Sequence, residues 1–479
     1  MKRLCLRLAA TSALLLALTC AYGSSRPRYG GTARILLQHK VSALDPLAED
    51  DYPDDRDRLS ALIFETLTQV DSQGRPRPLL ATSWQSDSGH RFWQFHLRFV
   101  KFHDGTPVTA ADVIASFSKA EPSWRCTTAD RQNVTIETPA AVQHLPEMVA
   151  MEKFAVVKRP ADGPLTGTGP FRLTEWQPGE RALFAANDDY WGGRPYPDAI
   201  EIQMNAALRD QLLQRQLGPY AAAEVNLDAL RVLDTTTQNL LISRPSDLLV
   251  IMFLQPDSAV AGARGAKKAI DPRIREALSA SLNRPAVSAL LQRRAQAASG
   301  LLPQWLTGYE FLMDSAQDTD RARRLAATAG GITTPVTLAY DFSDPTAKLV
   351  AERIQVDAGQ AGIQVKPYGE SHLNSRTARA TMNADAVLLR VPLPAVEPGV
   401  ALAALSATLG LDAQTASSVL AAGRPEDLLF AERKALEGFH VIPVARLPQA
   451  VWINGSAHNW LQSPTGAWDL QQLWMEGAR

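Results

Sequence analysis

Gly167-Thr168-Gly169-Pro170-Phe171-Arg172-Leu173-Thr174-Glu175-Trp176 is followed by Gly179-Glu180 and then by Asn187-Asp188-Asp189-Tyr190-Trp191-Gly192-Gly193-Arg194-Pro195-Tyr196. This stretch decides the fold. Gly-Thr-Gly-Pro reads as a turn in which a glycine takes a positive φ and Pro170 a fixed one. Phe171 and Leu173 leading to Trp176 read as a short strand with one apolar face. Tyr190 and Trp191 then form an aromatic pair beside a second Gly/Pro turn. Turn glycines and paired aromatics of this kind shape a core, so the stretch is scaffold rather than site.

Upstream, the chain opens on a segment that reads as an export signal. Lys2, Arg3 and Arg7 are a positive start, and Leu8 to Leu18 is an apolar run of about eleven residues, too short to span a bilayer as a helix. Cleavage after Gly23 leaves small residues at Ala21 and Gly23, which predicts a mature protein that begins near Ser24 and is periplasmic. The alternative is lipidation at Cys20, but Ala17 and Thr19 stand where a lipoprotein signal carries leucine and a small residue. Of the three cysteines, Cys5 and Cys20 go with this leader. Cys126 is then a single thiol with no intramolecular disulfide available.

The remaining chain is long enough for two or three domains with sizeable cores. The 49 basic and 50 acidic residues give a formal charge of −1 and are interspersed, which argues against nucleic-acid or anionic-membrane binding, since either needs a basic face. No catalytic constellation emerges. His103-Asp104 is adjacent in sequence, which is not the spatial geometry of a dyad. Gly167-Thr168-Gly169 lacks the third glycine of a dinucleotide loop and the lysine of a phosphate loop. The eight histidines are scattered and pair with no cysteine cluster, so neither a metal nor an organic cofactor is expected.

Further segments give the stretch its context. Tyr29-Gly30-Gly31-Thr32-Ala33-Arg34-Ile35 predicts a first strand, followed by the loop Val41 to Pro46. Leu59 to Leu67 has the apolar spacing of a helix. Phe92 to Phe99 alternates as a strand, and Lys101-Phe102-His103-Asp104-Gly105-Thr106-Pro107 makes a turn into a helix that Thr109 caps with Asp112. Asp271-Pro272-Arg273-Ile274-Arg275-Glu276-Ala277-Leu278 opens another helix, with proline in its first turn. From Asp320 to Leu389 the chain alternates helix and strand, with strands at Val336 to Tyr340, Gly362 to Val365 and Asp385 to Leu389, as in a mixed and largely parallel sheet.

In this order the segments resemble the extracytoplasmic solute-binding proteins of family 5, the peptide/nickel-type receptors of ABC importers. The resemblance covers nearly all of the chain after the leader. It implies an α/β, two-lobed periplasmic binding protein fold of type II, in the large cluster with an added subdomain, with mixed sheets and hinge-linked lobes around a ligand cleft. Residues 1–23 are then the signal peptide. Lobe I comprises 26–47, 165–245 and 445–479, with 48–164 as its added subdomain; lobe II is 246–444, and the chain crosses near Ser246 and Val444. The partners so implied are a small-molecule or peptide-like ligand and the membrane permease of an importer, with the receptor a monomer and not an enzyme. A non-transport interaction or sensing module on the same fold is the alternative.

The resemblance places the pocket walls at Leu44 and Asp45 after the first strand, at Trp305, and at Tyr340, Asp341 and Phe342 on a strand end. It also brings in Arg390, Val391, Pro392 and Glu397. Relatives that bind peptides continue this last strand through a tryptophan to an aspartate that holds the α-ammonium. Here Val391 and Pro394 stand at those positions. Arg390 in place of a small residue would add a fixed positive charge and select a carboxylate or phosphate, and Glu397 would restore a negative charge three residues later. Mass spectrometry of the secreted protein should find an N-terminus near Ser24; a diacylglyceryl cysteine at Cys20 would overturn that assignment.

Overall fold

The computed structural model describes residues 27–204, 220–227, 239–254, 269–291, 294–309, 312–313, 316–330, 334–421 and 424–476. The proposed leader, with Cys5, Cys20 and Ser24, lies outside them. Three sheets carry most of the regular structure.

The first large sheet has seven strands, in the spatial order Leu240–Ile242, Ala450–Ile453, Ala222–Val225, Thr32–Leu36, Ala199–Gln203, Arg181–Ala186 and Phe171–Gln177. Thr32–Leu36 runs parallel to both of its neighbours, with Ile35 opposite Ile202 on one side and Ala222 on the other. Such a strand is covered on both faces, and Ala33, Ile35 and Leu36 are buried.

The second large sheet has six strands, in the order Gln296–Ala297, Val441–Leu447, Asp247–Phe253, Ala386–Val391, Val336–Asp341 and Val365–Glu370. Its central strand, Asp-Leu-Leu-Val-Ile-Met-Phe, is buried at every position. Pro443 is tolerated inside the neighbouring strand because the register slips there: Leu249 faces Ala445 while Val250 faces Pro443, a bulge that excuses the missing N–H. This strand stays in the second sheet through Leu447, and the chain reaches the first sheet at Ala450. The crossing is therefore three to five residues beyond Val444. The other crossing lies between Ile242 and Asp247.

A four-stranded antiparallel sheet, Ala81–Ser86, Phe92–Leu97, Asn133–Glu137 and Arg125–Thr128, packs on the helix Ala110–Ala120. Trp93, Phe95 and Leu97 point into its core, as alternation predicts. Asp112 accepts from the backbone N–H of Thr109 at 2.8 Å and from its hydroxyl at 2.6 Å, closing the helix start. The buried apolar residues of this unit are continuous with those on one face of the second large sheet, including Leu248, Val387 and Leu389.

Three expectations need correction. The helix expected at Leu59 to Leu67 is Pro53–Ser60 instead, started by Pro53 in its first turn. It stops because the carbonyls of Leu62 and Ile63 are turned aside, accepting from Phe171 at 3.0 Å and from Gly169 at 2.8 Å. The strand expected at Gly362 to Val365 is Val365–Glu370, since Gly362 takes a φ of 78° at the end of the preceding helix. Third, neither Gly167 nor Gly169 has a positive φ. They are glycines because a Cβ on Gly167 would lie 2.0 Å from the Ile63 carbonyl oxygen, and one on Gly169 2.7 Å from the Ile63 carbonyl carbon.

That close approach also recruits His103, whose N–H donates to the Gly167 carbonyl at 2.8 Å and whose ring Nε2 lies 2.9 Å from the Gly169 oxygen. The aromatic pair belongs to the same joint. Tyr190 donates to buried Glu65 at 2.7 Å and Trp191 Nε1 at 3.1 Å. Gly167→Ala should destabilise the protein by about 3 kcal/mol or more, since backbone must move to admit the methyl; urea unfolding of the variant measures this, and a loss below about 0.5 kcal/mol would contradict it.

Candidate ligand-binding cleft

One cavity is lined from both large sheets. His39, Asp51, Tyr52, Asp54 and Glu224 come from the side of the first sheet, and Asp341, Asp344, His372, Asn374, Arg390 and Pro392 from the second. Its volume is about 50 Å³. That suits a few waters or the head of a small solute.

The first wall is held by the helix Pro53–Ser60. Arg58, buried on its last turn, donates to Asp55 and, at 2.9 Å, to Glu224 and to Gln449. It also donates to the Gly466 carbonyl at 3.0 Å and lies over the Trp468 ring. Gly466, at a φ of 90°, leaves room for Gln449, which a Cβ there would strike at 2.2 Å. His39 Nδ1 lies 2.9 Å from Asp55 Oδ2, and its ring stacks on Tyr52 with centroids 4.0 Å apart. Donor atoms of His39, Asp55 and Glu224 lie within 4.8 Å of one another, the one group among the described residues with metal-ligand spacing. Both of its carboxylates already hold Arg58, so the guanidinium supplies the positive charge there.

The second wall is a set of strand and helix ends. Asp341 closes the strand Val336–Asp341, and Asp344 caps the helix Pro345–Gln360 by accepting from Thr346 at 2.8 Å. Bonds cross from wall to wall. Tyr52 donates to Asp341 at 2.9 Å, and its hydroxyl is 2.6 Å from that of Ser343. Ser375 donates to Glu49 at 2.6 Å, and His372 Nδ1 is 2.7 Å from Asp51. Burial, with the like charges of Asp50 and Asp341, raises the Asp51 carboxyl above its ordinary range despite His372. Burial and the charge of Asp341 likewise push the Tyr52 phenol far up.

Asp341, Arg390 and Pro392 thus share this cavity, and the other residues singled out from sequence sit elsewhere. Leu44 is buried in the core of the first sheet. Asp45 pairs with Arg159 at 2.6 Å, which outweighs its partial burial and holds its carboxyl low. Trp305 donates to the Pro245 carbonyl at 3.3 Å beside one crossing. Tyr340 packs on the core of the second sheet, Phe342 is 69 % exposed, and Val391 is buried in the core. Glu397 caps the helix Pro398–Thr408 through Val400 at 2.6 Å. Arg390 is inside the strand Ala386–Val391, not at a free end, and donates to Asp247 through Nε at 3.0 Å and Nη2 at 2.8 Å. Burial opposes its charge, but Asp247, Asp344 and Asp54 more than offset that and raise its pKa.

Among the residues missed were Tyr52, Asp54, His39, Asp51, Glu224, Asp344, His372 and Asn374. A local signal existed for the first two: Glu49, Asp50, Asp51, Asp54, Asp55 and Asp57 crowd one short segment that an overall charge of −1 conceals.

Residues 75–392 match the family model described as bacterial extracellular solute-binding proteins, family 5 middle. The chain belongs to that family. Family 5 relatives include the dipeptide-binding protein of Escherichia coli, 30 % identical over 42 % of this chain and 37 % of its own length. The probable D,D-dipeptide-binding periplasmic protein DdpA of the same bacterium is 24 % identical over 60 % of each chain. The chain thus spans between about a quarter and three fifths of the curated relatives it matches. Among solved structures, the binding protein AgaA from Agrobacterium tumefaciens, in complex with agropinic acid, superposes with a TM-score of 0.78 at 18 % identity, covering 94 % of this chain and 99 % of that one. The murein tripeptide binding protein MppA of E. coli gives 0.78 at 18 %, over 93 % and 98 %. The fold is that of the two-lobed periplasmic binding proteins.

In this family 5 chain the His39 imidazole is the titrating feature of the cleft. Burial disfavours its charge, but Asp55, Glu224 and Asp54 prevail and raise its pKa from 6.5 to about 9. The folded state therefore binds the proton more tightly than the unfolded chain. Its contribution to stability is complete below pH 6.5 and is lost as pH rises through 9. Melting curves across this window should show falling stability, and His39→Gln should flatten the fall; an unchanged slope in the variant would contradict the assignment.

Proposed function

We propose that this chain is an exported receptor, residues 1–23 being its leader, that captures a small organic solute between two lobes and delivers it to an ATP-driven importer. Lobe I is then 26–47, 165–245 and 445–479, with 48–164 as its added subdomain, and lobe II is 246–444, the second crossing adjusted to the residues before Ala450. The receptor acts as a monomer whose closed face is read by a membrane permease.

The observation that carries this reading is the cavity lined from both sheets and bridged by Tyr52, Ser375 and His372. A solute that touches both walls binds the closed arrangement better than the open one. Moving such an equilibrium from 1:99 to 99:1 takes about 5.5 kcal/mol of differential affinity. Family membership and the fold support the same reading.

Native mass spectrometry of protein purified without denaturation should show a retained small solute. A bare polypeptide mass, even after incubation with extract of the medium, would count against the receptor. Tyr52→Phe removes two contacts between the walls and nothing from the fold of either, so it should weaken the retained solute by about 5- to 30-fold. Competition against the wild-type protein measures that loss, and equal retention would remove Tyr52 from the closure.

A further inference from the structure

The charges that face the cavity are unbalanced. Six carboxylates line it, against Arg390, the one lysine or arginine among its described lining residues, and two histidines: His39, held charged by Asp55 and Glu224, and His372, which lies on Asp51. That guanidinium is already committed. Asp247 Oδ2 accepts from its Nε and its Nη2, two of its three nitrogens, and Gln449 Nε2 braces Asp247 from behind at 3.1 Å. The amide is oriented to do this, since its oxygen accepts from Arg58 while its nitrogen faces the carboxylate. Arg390 and His39 are thus each neutralised by a carboxylate of the protein, Asp247 and Asp55.

The carboxylates opposite are left without such partners. Among the described residues, Asp341 and Asp344 are in no ion pair; their contacts are hydroxyls and backbone N–H groups. Asp54 touches only the outer edge of Arg58, at 3.7 Å, and acts on His39 and Arg390 from a distance. These three residues stand on opposite walls, Asp54 on the helix Pro53–Ser60 and the other two at the ends of a strand and a helix of the second sheet. Bringing the walls together therefore brings like charges together, at a cost that a positively charged solute would remove.

We propose that the cleft selects a small organic cation bearing an ammonium or guanidinium group, and that Asp54, Asp341 and Asp344 determine that specificity. The inference rests on the receptor reading above and reverses the anion preference that Arg390 suggests in sequence. The family's peptide-amine position does not enter it, since that place is held by Pro394. A cavity of about 50 Å³ fits the cationic head of such a solute.

Putrescine and agmatine serve as cationic probes, with succinate and glutarate as anions of similar length. Calorimetry at low salt should detect both cations and neither dianion. Asp54→Asn and Asp341→Asn, which keep the shape of each side chain, should each weaken the cations about tenfold. Each variant alone should still melt in one cooperative transition, which shows that the loss of affinity is a loss of recognition and not of the fold. Equal binding of the dianions, cation affinity indifferent to both variants, or failure of both cations to bind at millimolar concentration would each overturn the proposal. A retained solute that is neutral or anionic would overturn it and leave the receptor standing. A protein that retains no solute from any extract would remove the receptor reading itself.

Discussion

The buried guanidinium of Arg58 is the group on which the arrangement of the cleft depends. It is 2 % exposed and charged, so its burial is tolerable only with its donors satisfied. Asp55 and Glu224 meet it on the side of the first sheet, and Gln449 meets it at the crossing between the sheets. Through Gln449 the chain of contacts continues to Asp247 and Arg390 in the second sheet. One polar line thus runs behind the cavity from wall to wall. It fixes Asp55, which fixes His39, on which Tyr52 stacks. Removing Asp247 would leave the Arg390 guanidinium without its ion-pair partner, and breaking a buried pair in this way costs about 3–5 kcal/mol.

Function follows from what that line leaves over. A wall that keeps its guanidinium paired while Asp341 and Asp344 hold only neutral donors presents a negative field to whatever enters. The bonds from Tyr52, Ser375 and His372 hold the walls together around it. Most of the energy of closure is then available to discriminate between solutes, because the lobes themselves supply only a few exposed or half-exposed hydrogen bonds.

The elements were legible in the sequence where a local rule operates. Asp271-Pro272 starts a helix because the aspartate caps it and the proline needs no N–H, and Asp271 does accept from Arg273 at 2.8 Å. Trp93, Phe95 and Leu97 alternate because a strand alternates. Gly167 and Gly169 stood out, but for the wrong reason: what constrains them is the Ile63 backbone, about a hundred residues away, and not their own φ. The helix at Leu59 to Leu67 failed for the same cause, its carbonyls being drawn off by Gly169 and Phe171. The site was less legible still. Arg390 meets Asp247 across 143 residues of sequence, so nothing near Arg390 announces that its charge is spoken for. Leu44, Val391 and Glu397 were chosen by position along the chain, yet they serve packing and capping.

The account's central claim is that carboxylates on opposite walls resist closure until a cation joins them. It can be measured without knowing the solute. Spin labels on exposed Lys40 and Lys366, in a Cys126→Ser background, report the distance between the lobes by double electron–electron resonance. Raising ionic strength from 0.01 to 1 M shortens the screening length from about 30 to 3 Å, which suppresses the repulsion. The solute-free protein should shift toward the shorter distance as salt rises, and Asp341→Asn should be closed more often already at low salt. A distribution that ignores both changes, or that opens as salt rises, would contradict the account.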